Sequence, residues 1–282
     1  MEQTQPFYDL TLRFKIPSSN NNSNGIVLNE HFDSLDNFLL NTLNPDNEET
    51  EDGETRDMNR QLRRECRNHA KKYSYGIKSK NVFMLAHPFF LHLTHMNFLN
   101  EQGKREAEEY TSDLLGLLQD KDFQDRFETL LIEDPRYYAI ATSLLLENGL
   151  IHDVFFTENN SGRLYSVEDF RQVEERNFFV AGEYEGRCLS TSIQELRDYA
   201  RPLELGAVKD LVLKSPFDYS GSKFSDIGLV KCSEVFGVPA GKVISLQDFK
   251  KKLACETGSE ETESKNSQTS NFLDKLKHFW RN

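Results

Sequence analysis

Short apolar runs alternate with longer segments of helical periodicity between residues 81 and 214, and this alternation limits the fold more than any other feature. Strands separated by such segments are joined by right-handed crossovers and lie parallel. Helices then bury both faces of the sheet. The sequence therefore predicts an α/β protein with a Rossmann-like three-layer fold and a mainly parallel five-stranded sheet. The predicted strands are residues 82–86, 127–132, 153–156, 178–181 and 210–213.

Capping signals mark helix boundaries between these strands. Asp134 followed by Pro135 predicts a helix N-cap with proline at the first helical position. The same helix is predicted to end at Asn148-Gly149, because glycine commonly follows the last helical turn. Further helices are predicted over residues 107–118 and 188–199, and another beginning near Ser245.

Changes in composition and periodicity along the sequence predict three regions. Residues 1–78 form an irregular N-terminal region, with a strand near 8–16, a short helix near 35–43, an acidic loop and a basic helix. Residues 79–254 form the α/β core domain. Residues 255–282 form a polar, disordered linker and an amphipathic tail helix over 271–282, for which a protein partner is one candidate.

Composition limits the class of protein. A chain of 282 residues, 37% of them hydrophobic, can bury one substantial core. The sequence has no apolar run of about eighteen residues, so we expect no membrane span. The first residues lack the basic and apolar regions of a signal peptide, and we expect a cytoplasmic protein. The four cysteines form no Cys-x-x-Cys pair, which favours reduced thiols over a zinc ribbon or a disulfide scaffold.

The charge is negative overall but unevenly placed. A net charge of −12 disfavours general nucleic-acid binding, so no nucleic-acid partner is expected. Residues 46–57 hold seven acidic side chains, and a basic run follows directly. An exposed acidic loop and a basic helix face would account for this pattern. The alternative is a docking segment for an acidic partner or RNA. The basic run consists of Arg60, Arg63, Arg64, Arg67, Lys71 and Lys72.

Open parallel sheets bind ligands beyond the carboxyl ends of their strands. Those ends carry several residues able to do acid–base or nucleophilic chemistry, and we predict three catalytic residues among them: His87, Glu133 and Cys188. Asp134 is predicted to lie among the ligand-binding residues, although the pattern around it favours a simple helix cap. His87 could also simply mark the end of a strand. The other strand ends are Glu158 and Lys214 with Ser215.

Residues 178–189 give the most specific signal. An apolar run stops at Gly182, crosses a polar turn and enters a helix at Cys188. A helix N-terminus favours anions and lowers the pKa of a nearby thiol. The turn is therefore predicted to bind a small anionic ligand through residues that include Arg187, although a small residue at this junction could serve packing alone. The predicted ligand-binding residues here are Gly182, Glu183, Gly186, Arg187 and Leu189.

Other recognised sites are missing from the sequence. It contains no phosphate-binding P-loop, no dinucleotide fingerprint and no Gly-x-Ser-x-Gly turn. His92 and His95 are three residues apart, with His87 nearby, and such a group of histidines could bind a metal ion. The aromatic residues around them favour a core segment instead. The predicted site therefore includes no metal and no cofactor.

The segment Val-Ala-Gly, four residues, then Arg-Cys-Leu and a helix bearing Thr191 resembles the nucleophile turn of the isochorismatase-like cysteine hydrolases. The resemblance covers residues 178–191 and the strand–helix order around them. It implies an α/β fold with Cys188 as nucleophile. That family also uses an aspartate at the end of its first strand, where this chain has His87, and a lysine, of which residues 127–208 contain none.

Two functions follow from these patterns. In the first, an α/β protein binds a small anionic molecule at the carboxyl edge of its sheet and acts as a cysteine-dependent hydrolase or transferase. In the second, a non-catalytic interaction protein uses its charged N-terminal segment and its amphipathic tail helix to bind partners.

Overall fold

The computed structural model describes residues 53–91, 99–158, 162–214 and 232–255. The strands within these ranges form a six-stranded sheet in the order β3-β2-β1-β4-β5-β6, and every neighbouring pair is parallel. The strands are β1 (Asn81–Ala86), β2 (Glu128–Glu133), β3 (Asp153–Phe156), β4 (Asn177–Glu185), β5 (Glu204–Lys214) and β6 (Val243–Ile244).

The predicted α/β fold with a mainly parallel sheet is confirmed, but the predicted number of five strands is wrong. The additional strand, β6, contains two residues that pair with Ala207 and Val208 at the edge of the sheet. A strand this short has no apolar run, so its sequence carries no detectable period.

Helices connect the strands, and their bounds are close to those predicted. They are α1 (Gly53–Tyr73), α2 (Glu101–Leu118), α3 (Lys121–Gln124), α4 (the consecutive segments Pro135–Tyr137, π-helical Tyr138–Thr142 and Ser143–Glu147), α5 (Glu168–Arg171), α6 (Cys188–Glu195, continued by π-helical Leu196–Ala200) and α7 (Leu246–Cys255). No helix among the described residues is long and apolar enough to cross a membrane.

Alternate residues of the strands feed two apolar clusters, one on each face of the sheet. In β1, Phe83 and Leu85 enter one cluster while Val82 and Met84 enter the other. Helices α1, α2, α4 and α7 contribute to the first cluster, and α5 and α6 to the second. Burial on both faces explains why the strands read as continuous apolar runs rather than as alternating ones.

Helix α1 packs into the first of these clusters. Leu62, Cys66 and Ala70 are spaced four residues apart, so they share one face of the helix, and all three are buried. The Cys66 thiol donates a hydrogen bond to the Pro135 carbonyl at 3.2 Å. The elements predicted near residues 8–16, 35–43 and 256–282 lie outside the described residues, and the predicted domain bounds remain a prediction.

The strand order places a switch point between β1 and β4. From β1 the chain continues outward to β2 and β3 on one side, whereas from β4 it continues to β5 and β6 on the other. Connections that diverge in this way leave a crevice beyond the carboxyl ends of the two central strands. The side chains at those ends are therefore the first place to look for a site.

A buried polar centre at the carboxyl ends of β1, β2 and β4

Three of the predicted site residues lie together at this edge of the sheet. His87 follows β1, Glu133 ends β2, and Glu183 lies near the end of β4. The register pairs Ala86 with Ile132 on one side and with Gly182 on the other, so the three polar residues occupy adjacent strand ends. All three are fully buried, and we call His87, Glu133 and Glu183 together the polar centre. Buried ionisable groups are costly unless they are paired, so their arrangement needs a physical account.

His87 and Glu133 form a hydrogen-bonded pair. His87 Nδ1 lies 2.7 Å from Glu133 Oε1, and the Asp134 backbone N–H donates to the same oxygen at 3.1 Å. Burial raises the pKa of Glu133 above its ordinary value, and the attraction of His87 offsets only part of that increase. His87 Nε2 is buried without a hydrogen-bond partner among the described residues. This nitrogen can therefore bond to a ligand.

Glu183 is held at only one of its two carboxyl oxygens. The Leu91 backbone N–H donates to Oε2 at 2.6 Å, whereas Oε1 is buried without a partner within the described ranges. Burial raises the pKa of Glu183 well above its ordinary value, and the nearby charge of Glu133 adds to the effect. Glu183 consequently binds its proton more tightly than a solvated glutamate does, and its carboxylate form is a stronger base.

Cys188 begins α6 and is buried beside these carboxyl groups. Burial raises the pKa of its thiol to about 12, the backbone N–H groups of Tyr184 and Cys188 lower it, and the charges of Glu133 and Glu183 raise it further. The sequence-based expectation of a lowered thiol pKa is therefore wrong. The helix N-terminus is present as predicted, but desolvation has the larger effect at this position.

The loop after β3 packs against the first turn of α6. Gly162 approaches Cys188 so closely that an added Cβ would lie 2.1 Å from the Cys188 carbonyl oxygen. The Ser192 hydroxyl donates to the Gly162 carbonyl at 3.0 Å and joins the loop to α6. Glycine is required here both by this approach and by its φ of +81°.

The predicted anion-binding turn uses its amides internally. The Gly186 N–H donates to the Ser190 hydroxyl at 2.8 Å, and the Arg187 N–H donates to the Tyr184 carbonyl at 3.0 Å. The Arg187 side chain is exposed, whereas Leu189 is buried in the second apolar cluster. These bonds compete with any anion for the same two amides, so the turn favours an anionic ligand less than its sequence suggests.

Asp134 caps helix α4 and binds its arginine. Its Oδ1 accepts hydrogen bonds from the Arg136 backbone N–H at 2.9 Å and from Nε at 2.7 Å, and Arg136 Nη2 lies 2.6 Å from Oδ2. Burial acts to raise the pKa of Asp134, but the Arg136 charge outweighs it and lowers that pKa. Asp134 therefore makes the contacts of a helix cap, as its position before Pro135 suggests.

Gly182 allows β4 to pass close to the end of β1. Its φ is +120°, and an added Cβ would lie 2.0 Å from the Ala86 carbonyl oxygen. The predicted ligand-binding position is thus one where the backbone of two central strands leaves no room for a side chain. This close approach of β4 to β1 brings Glu183 alongside His87.

Aromatic side chains that sequence reasoning missed enclose the centre. Tyr137 meets the His87 ring edge-on at 6.4 Å between centroids, and Phe90 meets both Tyr137 and Tyr184 edge-on at 5.0 and 5.6 Å. Tyr110 reaches the centre from α2, and burial followed by the charges of Glu183 and Glu133 raises its pKa. No signal marks these residues in the sequence, because tyrosines inside a helical pattern look like ordinary core.

Within the described ranges, no group of three or more histidine, cysteine, aspartate or glutamate side chains is arranged to hold a metal ion. His92 and His95, the residues of the alternative metal site, lie outside those ranges. No protein-family model matches the chain, and no curated protein or solved structure shows significant similarity to it. Any function must therefore be argued from the site itself.

Proposed function

We propose that this chain is a cysteine-dependent hydrolase or transferase that binds a small molecule at the switch point between β1 and β4. The parallel strand order β3-β2-β1-β4-β5-β6 supports this position, because doubly wound, Rossmann-like sheets bind ligands where their strand order diverges. The single observation that carries the proposal is the grouping of the Cys188 thiol with two buried glutamates of raised pKa, one of which has an unpaired oxygen. Functional sites are where such perturbed groups accumulate.

The protonated thiol requires a base. A thiol whose pKa is about 12 is almost entirely protonated near neutral pH, so it cannot attack as a preformed thiolate. Glu183 is the candidate base, since its Oε1 is unpaired and its raised pKa makes the carboxylate more basic. The resemblance to isochorismatase-like hydrolases supports Cys188 as the nucleophile. The choice of Glu183 as the base does not come from that resemblance.

The proposed reaction is acyl transfer. The sulfur electron pair attacks a carbonyl carbon as the thiol proton passes to the Glu183 carboxylate, and the carbonyl π electrons move to oxygen. When those electrons return, the bond to the leaving group breaks and the leaving group takes the proton from Glu183. Water then cleaves the thioester in a hydrolase, or an acceptor hydroxyl or amine cleaves it in a transferase. The backbone N–H groups of Tyr184 and Cys188 lower the pKa of the Cys188 thiol, so they stabilise the negative charge on sulfur as the proton leaves.

The surrounding charges favour a neutral ligand over the small anion expected from the sequence. Glu133, Asp134 and Glu183 all lie at this edge, and the guanidinium of Arg136 is bound to Asp134 through two nitrogens. An anion would meet these carboxyl groups in a buried setting. A neutral ester or amide carbonyl meets no such repulsion.

The test uses p-nitrophenyl acetate as a generic acyl donor, with intact-protein and peptide mass spectrometry as the readout. We expect one acetyl group on Cys188, formed faster as the pH rises and Glu183 ionises, and no adduct at this position in Cys188→Ser. Removing the base in Glu183→Gln should slow acetylation by about 100-fold, the lower end of the usual range for a general base.

Cys232 provides a matched control for the acetylation test. Its thiol is buried and its pKa is also raised to about 12, but its charged neighbours are Glu185 and Lys214 rather than the polar centre. Cys232→Ala should acetylate like the wild type. Acetylation of Cys188 no faster than that of Cys232 would contradict the proposal, since the polar centre would then confer no reactivity.

A further inference from the structure

A second candidate site lies on helix α1, away from the Cys188 thiol. The exposed face of this helix and one tyrosine line a surface groove of about 470 Å³. Five cationic side chains and the tyrosine form most of the lining, and we name this set the α1 groove. Its residues are Arg60, Arg63, Arg64, Arg67, Lys71 and Tyr165.

The packing of α1 limits the directions of these cations. Leu62, Cys66 and Ala70 are buried against the core, so the cations lie outside that face, with Arg63 partly buried beside it and the other four exposed. The five cations lie within twelve residues, and the eleven helical rises between the first and the last correspond to about 17 Å along the helix axis. Because the helix is anchored in the core, this positive charge stays concentrated in one place.

Tyr165 holds two of the guanidinium groups in a defined arrangement. The Cζ atoms of Arg63 and Arg67 lie 5.0 and 5.1 Å from the centre of its ring. The tyrosine is itself held in place. Its hydroxyl donates a hydrogen bond to the Glu158 carbonyl at 3.1 Å, and its backbone N–H donates to the Phe156 carbonyl at 3.0 Å. Groups positioned before binding lose less conformational freedom when a ligand arrives.

We propose that the α1 groove binds a small molecule that carries clustered phosphate groups. Four of its five cations are arginines, whose planar forks bind phosphate through two parallel hydrogen bonds. The groove volume lies within the range of small-molecule sites. A long nucleic acid would run beyond this groove onto a protein of net charge −12, whereas a compact polyphosphate would not.

The test is isothermal titration calorimetry on the full chain with sodium triphosphate, ATP and inositol hexakisphosphate. We expect saturable binding that weakens as salt is added, because exposed charges are screened. Arg63→Gln/Arg67→Gln should weaken binding of each compound by about tenfold or more. Tighter binding of ATP than of triphosphate would identify a nucleotide ligand, and tighter binding of inositol hexakisphosphate a ring-borne phosphate cluster. Either result supports the proposal.

Matched variants separate the groove from general charge. Arg105→Gln/Arg197→Gln removes two exposed arginines outside the groove and should leave the dissociation constants unchanged. Tyr165→Leu should weaken binding, and Tyr165→Phe, which keeps the ring but loses the hydroxyl that holds it, should weaken binding less. If Arg63→Gln/Arg67→Gln does not fold, Arg60→Gln/Lys71→Gln, at two exposed positions, carries the same expectation. Cys188→Ser should bind normally, because this proposal does not depend on the polar centre.

Three results would overturn the proposal. The first is no binding of any of these compounds by the wild type, and the second is equal weakening by the groove and control variants. The third is binding of an RNA oligonucleotide but not of triphosphate, which would assign the groove to a macromolecule. In the first case, binding of triphosphate only after neutralising Asp46, Glu48, Glu49, Glu51 and Asp52 would assign the groove to the acidic segment of this chain.

Discussion

At the scale of single residues, the buried carboxyl groups of the polar centre destabilise the native state. Glu133 and Glu183 are buried, and both pKa values are raised because desolvation penalises their charged forms. A core selected for stability alone would hold apolar residues there, since an incompletely paired buried carboxyl destabilises the native state. This cost is one reason to assign the centre a chemical function.

Glu183 should make the stability of the protein depend on pH. A carboxyl whose pKa is raised by folding stabilises the native state fully below its unfolded pKa of about 4.3, and that contribution is lost as the pH rises through the folded pKa. Wild-type protein should therefore lose stability, relative to Glu183→Gln, by up to about 1.4 kcal/mol per pH unit in that window. Urea unfolding at a series of pH values between about 5 and 8 measures the difference.

The matched control for this comparison is Glu185→Gln, two residues further along β4. Glu185 is only partly buried, and the same substitution there shows how much of any change in the pH profile comes simply from removing a carboxyl group from this strand. Parallel pH profiles for Glu183→Gln and the wild type would contradict the assignment, because they would mean that Glu183 titrates alike in the folded and unfolded chains.

The sequence located much of the centre but not its electrostatics. His87, Glu133 and Cys188 could be placed at one edge because each follows or ends a strand, and strand ends can be read from where apolar runs stop. The thiol pKa could not be predicted, since it depends on burial and on the charge of Glu133, which is distant from Cys188 in sequence. Tyr110 escaped prediction for the same reason, because it reaches the centre through packing of α2.

At the scale of elements, the pairing of β1 with β4 determines the shape of the crevice. The register is regular from Asn81 opposite Asn177 to Ala86 opposite Gly182. The pairing of β4 with β5 shifts register at two places near the site. The sequence ended this strand at residue 181, because the apolar run stops there, although the extended backbone continues to Glu185. Polar residues at a strand end cannot be told from a turn by periodicity.

Replacing Gly182 should damage this pairing. In Gly182→Ala the methyl group would have to displace the Ala86 backbone, and alanine would be strained at a φ of +120°. We expect a loss of about 3 kcal/mol in the free energy of unfolding, at the upper end for overpacked positions. Chemical denaturation of the purified variant measures this loss.

Gly149→Ala is the control for backbone strain without a clash. Gly149 also has a positive φ, of +71°, but no atom lies within 4 Å of the position of its Cβ. It should lose only about 1 kcal/mol, the cost of left-handed backbone for alanine. Equal losses for the two variants would show that close approach to Ala86 contributes nothing.

At the scale of the whole molecule, helix α1 joins the N-terminal region to the core. The sequence assigned it to a separate region because most of its residues are polar and a run of acidic residues precedes it. Its buried apolar stripe consists of Leu62, Cys66 and Ala70 among the described residues, and a stripe this narrow is easily outweighed by the composition around it. The same helix thus contributes apolar packing on one side and the α1 groove on the other.

This arrangement implies that α1 unfolds together with the sheet. Leu62→Ala should lower the free energy of unfolding by about 3 kcal/mol, as for a fully buried leucine, and the loss should appear in one cooperative transition followed by far-UV and tyrosine signals alike. Arg64→Ala, two residues further and exposed, should change stability by no more than about 0.5 kcal/mol. If Leu62→Ala instead produced an early transition confined to helical signal while the tyrosine transition stayed in place, α1 would be an appendage with its own stability, and the cations of the α1 groove would lack the fixed base on which phosphate binding depends.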